Sequence, residues 1–406
     1  MHRDTSSRAT TSCALWFALA LSACGPEAPS ASFAPAQVSD SAGIRIVSVQ
    51  AQAPSDTVRP DLLWHYGAEP PDYLFQRIGS GVVRDDGSVV IADFGSDEVV
   101  AIDPRGETHQ VVARTGQGPS EVRSPRQVIT FDGSDVWVED ASGGKLLRLV
   151  SDSVVDVLTG SANPSVAPRL MPIGVDPLGQ LLLTTGRYSP NFDEPWLLGT
   201  LAVLEPGQSQ VDTVGTFQLT PRVGEPPVSP FTGHGVITVA GGRFVTARTD
   251  IPELRWRSTD GSITQVSRWP AQLDYPDDQD WQEFRASVRA GFERMTPGRP
   301  EAEYDQVFER AISGWHLDES QPVRLFDDII GSETGGVWVA PFTPARTSPP
   351  STTDWIVFSP DGDRVGVAQF DRPTRILHVN ESRILGIHTD DLDVETVVAY
   401  QNPFGM

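Results

Sequence analysis

Asp85-Asp86-Gly87-Ser88-Val89-Val90-Ile91-Ala92 joins a tight polar turn to four apolar residues. Glycine and asparagine in such turns supply the positive φ of a hairpin, and a short apolar run bounded by turn residues reads as a buried strand. The same grammar returns at Asp132-Gly133-Ser134 before Val136-Trp137-Val138, at Asp176-Pro177-Leu178-Gly179 before Leu181-Leu182-Leu183, and at Ala240-Gly241-Gly242 before Phe244-Val245-Thr246-Ala247. Glu333-Thr334-Gly335-Gly336 before Val337-Trp338-Val339-Ala340 and Asn380-Glu381-Ser382 before Ile384-Leu385-Gly386-Ile387 complete the set. From the first apolar residue of each run, the intervals are 47, 45, 63, 93 and 47 residues, close to one four-stranded propeller blade apiece once two insertions are allowed. A β-sandwich also has many short strands, but it does not space one turn and one run at this period.

A further strand follows each of the first five runs, as in Val99-Val100-Ala101-Ile102 before Asp103-Pro104-Arg105-Gly106 and Trp355-Ile356-Val357-Phe358 before Ser359-Pro360-Asp361-Gly362. The expected fold is all-β, a six-bladed β-propeller over residues 43–406. The last apolar segment, Val394 to Tyr400, reads as the third strand of blade six, with only Gln401 to Met406 after it. The missing fourth strand is expected from Gly43 to Val49, whose Ile44-Arg45-Ile46-Val47 alternation would close the ring.

Ile91-Ala92-Asp93-Phe94-Gly95-Ser96-Asp97-Glu98-Val99-Val100-Ala101-Ile102-Asp103 resembles the strand-loop-strand core of NHL-type six-bladed propellers. Arg114-Thr115-Gly116-Gln117-Gly118-Pro119-Ser120-Glu121 is similar to the inter-blade loop of bacterial six-bladed β-propeller lipoproteins. The resemblance implies a fold and a place in the cell envelope, and no catalytic residue.

Between blades four and five, Trp281, Phe284, Val288, Phe292 and Met295 recur at intervals of three and four after Asp277, Asp278 and Asp280. That pattern predicts an amphipathic helix from Asp277 to Met295, because acidic groups suit a helix N-terminus. A second helix is expected from Pro300, with Tyr304, Val307, Phe308, Ala311 and Ile312 on one stripe. The two-helix insertion, about residues 271–320, would pack on the end or flank of the disc. Its aromatic stripe suits either the small core of a helical cap or a ligand-gripping lid, and the Pro-rich stretch Tyr188 to Trp196 would shape the same mouth or form a long loop. Trp281, Phe284 and Trp315, with His234 between two glycines, are the candidate ligand-binding side chains.

The N-terminus carries Arg3 and Arg8, then an apolar run from Ala14 to Ala20, shorter than the roughly 20 residues of a membrane span. Leu21-Ser22-Ala23-Cys24 resembles a bacterial lipobox, which implies a signal peptide over 1–23, lipid attachment at Cys24 and a Pro/Ala/Ser-rich flexible tether over 24–42. An ordinary signal peptide is the alternative. The expected location is the cell envelope, reached by secretion across the inner membrane. Cys13 and Cys24 are the only cysteines, so the mature fold has no disulfide, thiolate metal site or cysteine nucleophile.

A formal net charge of −23 argues against nucleic acid or an anionic lipid surface as partner. The sequence has no Gly-x-Ser-x-Gly elbow, His-Glu-x-x-His pair or phosphate loop, and no catalytic residue is assigned. His65, His109, His234, His316, His378 and His388 lack metal-ligand spacing. Asp93, Asp140, Asp250 and Asp390 follow core strands and are expected on a solvated rim rather than around a metal. Two readings result. One is a monomeric, membrane-tethered binding or scaffold module for an envelope protein, peptide or glycan, without cofactor; the other is a propeller hydrolase or lyase with an axial Ca²⁺ held by carboxylate and amide oxygens.

Overall fold

The computed structural model describes residues 36–50, 57–68, 72–132, 135–142, 144–159, 170–185, 196–206, 208, 210–221, 229–295, 300–343, 352–390 and 392–406. The signal peptide, Cys24 and residues 188–195 of the Pro-rich stretch lie outside them. The described chain is a ring of six sheets, each built on four antiparallel strands. Blade one comprises Ile78–Val83, Val89–Asp93, Glu98–Ile102 and His109–Ala113; blade two comprises Pro125–Asp132, Asp135–Asp140, Lys145–Val150 and Ser153–Thr159. Blade three comprises Leu170–Val175, Leu181–Thr185, Trp196–Leu204 and Asp212–Pro221; blade four comprises Gly235–Ala240, Arg243–Arg248, Glu253–Arg257 and Ile263–Arg268. Blade five comprises Phe326–Gly331, Val337–Pro341, Thr353–Phe358 and Arg364–Phe370; blade six begins with Arg375–Val379, Arg383–Thr389 and Glu395–Gln401.

All six repeated apolar runs are second strands, and their cores are buried; Val89, Val90, Ile91 and Ala92 have no exposed surface. Each such strand packs against a neighbouring blade on both faces, which is why it reads as continuous rather than alternating hydrophobicity. The core is accordingly a set of clusters between adjacent blades. Val90, Val99, Val128, Val136 and Leu147 join blades one and two, and Trp256, Phe326, Val337 and Phe358 join blades four and five.

Blade six is completed by Leu62–Tyr66, antiparallel to Glu395–Gln401. The expectation for Gly43 to Val49 is therefore corrected. Ile44–Ser48 lies parallel to Ile263–Arg268 as a fifth strand of blade four, and Gln37–Ser41, inside the stretch expected as tether, pairs antiparallel outside it. Thr57–Val58 adds to the edge of blade five. The reason is topological. A fourth strand must feed the next inner strand through a short connection, and Leu62–Tyr66 lies directly upstream of Ile78 whereas Ile44 does not. The N-terminal segment thus skirts the outside of blades four and five before it closes blade six.

The insertion holds two helices, α1 (Asp278–Met295) and α2 (Glu301–Ile312), with Pro300 at the start of α2. Asp277 Oδ1 accepts hydrogen bonds from the amides of Gln279 and Asp280 at 2.8 and 3.0 Å, filling orphan donors of the first turn of α1. Tyr304, Phe308 and Ile312 of α2 are buried. Among the described residues no helix is long and apolar enough to cross a membrane.

Candidate functional site

The six inner strands run in one direction, so their first residues share one face of the ring and the turns after them share the other. The helical insertion enters blade five at the first residue of its inner strand. It therefore belongs to the first face. β-Bulges or register shifts interrupt the inner-strand ladders of blades one, two, three, five and six, at Ile78/Ser80, Thr130/Asp132, Pro172/Gly174, Phe326/Asp328 and Ile376/His378. A bulge adds an unpaired residue and re-aims its neighbours. Here the re-aimed positions bring Asp328 and His378 to the axis.

The axial cavity has a volume of about 810 Å³ and reaches from mid-strand residues such as Ser80, Gln127 and Asp328 to the turns of blades three, four and five. Its wall is mixed, with aliphatic contributions from Val82, Val128, Ile173, Val239, Ile330 and Leu377 among polar ones from Ser80, Gln127, Thr130, Thr238 and Ser332. Close approach of the inner strands requires glycine: a Cβ on Gly331 would meet the Val239 carbonyl oxygen at 1.9 Å.

Glu333, in the turn after the inner strand of blade five, reaches His378 of blade six, with Nε2 to Oε1 at 3.3 Å. The other ring nitrogen, Nδ1, accepts the Val83 amide at 3.3 Å, so the neutral ring carries its hydrogen on Nε2, toward Glu333. Thr130 of blade two, diametrically across the ring, also hydrogen-bonds Glu333. Burial pushes the Glu333 carboxyl up, but His378 and Thr130 outweigh it and hold the group below the usual glutamate range. A carboxylate is therefore fixed across the axis at the turn end.

Asp328 faces the same lumen. Its side chain is wetted by the cavity although protein surrounds it on all sides. That enclosure raises its carboxyl; the Ile329 amide opposes the rise, Asp327 adds to it, Arg375 opposes it, and the result is about 6. Its one hydrogen bond among the described residues comes from the Ile329 amide at 2.8 Å. Arg375 is occupied elsewhere, donating to the Ile78 carbonyl at 2.8 Å and pairing with Glu395 at 3.6 Å.

Of the four candidate ligand-binding residues, none lines the axial cavity. Three are brought into contact: Phe284 stacks near-parallel on Trp281 at 5.7 Å and meets the Trp315 ring edge-on at 5.1 Å. Phe231, in the loop before blade four, touches Phe284 at 5.9 Å. His234 sits three residues farther along that loop, half-buried, its Nδ1 3.5 Å from Thr249 Oγ1. Burial, then Arg324, lowers its basicity, against Asp327 and Asp250.

The aspartates expected on a solvated rim divide. Asp93 and Asp140 are buried, and both fasten the connection that enters their own blade. Asp93 accepts from the amides of Gln76, Arg77 and Gly95, and Asp140 from those of Arg123 and Ser124. Asp250 pairs with Arg248, and only Asp390 is an exposed turn residue. His388 shares its Nε2 with Tyr400 Oη at 2.8 Å and Thr374 Oγ1 at 3.1 Å, away from the axis.

No family model matches the sequence, and no curated protein matches it. Among solved structures, a protein of Bacteroides fragilis assigned as exported has a TM-score of 0.51 at 10% identity, covering 88% of this chain and 99% of its own. A member of the DUF4221 family from Bacteroides vulgatus follows at TM-score 0.47, 10% identity, 86% of this chain and 96% of its own. The calcium-binding protein regucalcin of Agrobacterium tumefaciens gives 0.41 at 12% identity, 85% and 97%. At such identities the likeness concerns the fold alone. Among the described residues no three His, Cys, Asp or Glu side chains gather to hold a metal ion.

Asp328 escapes the sequence patterns because it belongs to no motif, and Glu333 stands in one only as the first residue of a turn read for its glycines. The available signal is a pair of acids, Asp327-Asp328, inside an otherwise apolar inner strand.

Proposed function

We propose that this chain is a lipid-tethered, extracytoplasmic binding module whose axial channel receives a ligand, either free or as an extension of an envelope protein, peptide or glycan. The observation that carries this reading is the channel. At about 810 Å³ it falls within the range of small-molecule sites, and its wall sets convergent polar groups among aliphatic side chains. The helical aromatics are accounted for by their mutual packing on the other face. Location is supported by the basic and apolar leader, and the tether by the Leu21-Ser22-Ala23-Cys24 resemblance.

Two experiments test the reading. Native mass spectrometry of protein purified from its envelope should show an added mass that Gln127→Trp, which fills the channel, removes without lowering the melting temperature. An unchanged spectrum between the two proteins counts against the channel. Fractionation should find wild type in membranes and Cys24→Ser in the soluble envelope fraction; equal distribution of the two removes the tether.

A further inference from the structure

We propose that the axial channel holds an unbranched alkylammonium chain, one ammonium on Asp328 and another on Glu333, a proposal that rests on reading the channel as the binding site. Three residues of extended strand, Ile329, Ile330 and Gly331, at about 3.3 Å each, follow Asp328 before the turn carrying Glu333, so the two carboxylates are separated along the axis by on the order of 10 Å. That separation is too long for one ion to bridge. Between them Val82, Val128, Val239, Ile330 and Leu377 offer apolar contact beside the polar Thr130, Thr238 and Ser332. Charged ends with apolar contact between them match a methylene chain with an amine at each end.

The electrostatics favour a cation. Asp328 makes no ion pair among the described residues, and Arg375, whose charge acts on it, is held by Glu395 and the Ile78 carbonyl. Glu333 is satisfied in part by donors that, with a neutral His378 ring, leave its charge intact, and its side chain keeps 34% of its surface. An anion would face two carboxylates in a low-dielectric enclosure, where repulsion is strongest. A bare divalent cation needs six to eight oxygens, and no three acidic or histidine ligands gather among the described residues. An ammonium needs only one or two acceptors, which each end provides.

The same chemistry occurs in free polyamines and in lysine side chains, and calorimetry on the full chain in non-ionic detergent separates them. The probes are spermidine, putrescine, butylamine and an N-acetylated trilysine amide. Putrescine, and the four-carbon arm of spermidine, place two ammoniums about 6 Å apart, which with a hydrogen bond of about 2.8 Å at each end spans the two carboxylates, so both should bind at least tenfold tighter than butylamine, which reaches only one. Asp328→Asn and Glu333→Gln should each weaken binding tenfold or more, whereas Asp212→Asn, on the outer strand of blade three, leaves it unchanged; melting curves confirm that each variant folds. If trilysine binds with the same sensitivity and the free amines do not, the ammonium is supplied by a polypeptide. Binding that ignores both substitutions, or no binding by any probe, overturns the proposal. Should the mass removed by Gln127→Trp persist in both carboxylate variants, the channel still binds a ligand but not through these charges.

Discussion

Asp93 does its structural work with a buried carboxylate. It accepts from the Gln76, Arg77 and Gly95 amides at 3.0, 2.9 and 3.1 Å and from the Tyr73 hydroxyl at 3.2 Å, tying the connection from blade six to the second strand of blade one. Removing it leaves several buried donors unpaired, each costing about 1–3 kcal/mol. Asp93→Ala should destabilise the propeller by about 3–4 kcal/mol, read as a lower urea midpoint with unchanged slope. Asp328 behaves oppositely. Its carboxyl is raised in the folded state to about 6 from 3.8, so the folded protein binds that proton more tightly than the unfolded chain does. The ionised group is thus a penalty above pH 6 that is relieved as pH falls from about 6 to 4. Asp328→Asn should raise the melting temperature at pH 8, and the advantage should shrink on acidification through that window. A variant melting below wild type at pH 8 would show that the carboxylate is stabilised by something other than its surroundings described above.

At the scale of elements, the ring closes through a strand whose importance its composition does not announce. Tyr66, at the end of Leu62–Tyr66, is buried and hydrogen-bonds His109 Nδ1 at 2.5 Å, whereas Ile44 sits half-buried on an added edge of blade four. Tyr66→Ala should cost about 3–5 kcal/mol and Ile44→Ala less than about 1 kcal/mol in chemical denaturation; equal effects would mean that the edge strand shares in closure. The insertion is separable for a geometric reason. The Val323 amide donates to the Asp274 carbonyl at 2.8 Å, so the two ends of the excursion already meet. Replacing 275–322 by a short Gly-Ser turn should leave the β-sheet circular dichroism intact, and loss of that signal would make the helices part of the propeller's core. The same contrast explains what the sequence makes legible. Second strands such as Val89–Asp93 are buried on both faces and show as apolar runs, and α1 and α2 show in their stripes. Ile44-Arg45-Ile46-Val47 and Leu62-Leu63-Trp64-His65-Tyr66 are equally strand-like, and only connection length tells them apart. Inner strands are least legible, because bulges reset their alternation and their lumen faces tolerate Asp328 and His378.

The whole molecule carries a net charge of −23, and that excess acts on a compact ring. Like charges held near one another oppose folding, and salt weakens the opposition because the Debye length falls from about 30 Å at 0.01 M to about 10 Å at 0.1 M. Local ion pairs pull the other way. Arg84–Asp152 at 2.6 Å and Arg148–Asp135 at 2.5 Å would be weakened by salt, but both include a largely buried partner and are screened less. The exposed Arg59–Asp371 and Arg105–Glu107 contacts, at 3.8 and 3.9 Å, belong to a class worth about 0–1 kcal/mol each. Long-range repulsion should therefore set the sign. Raising sodium chloride from 0.01 to 0.3 M at pH 7.5 should increase the melting temperature by about 1–3 °C, since 1 kcal/mol corresponds to about 2–4 °C in domains of 150–250 residues and to less in a longer one. Chloride is the right anion for the measurement, because sulfate would also strengthen apolar burial. A melting temperature that falls over the same range would place the ion pairs, not the net charge, in control of the fold's electrostatics.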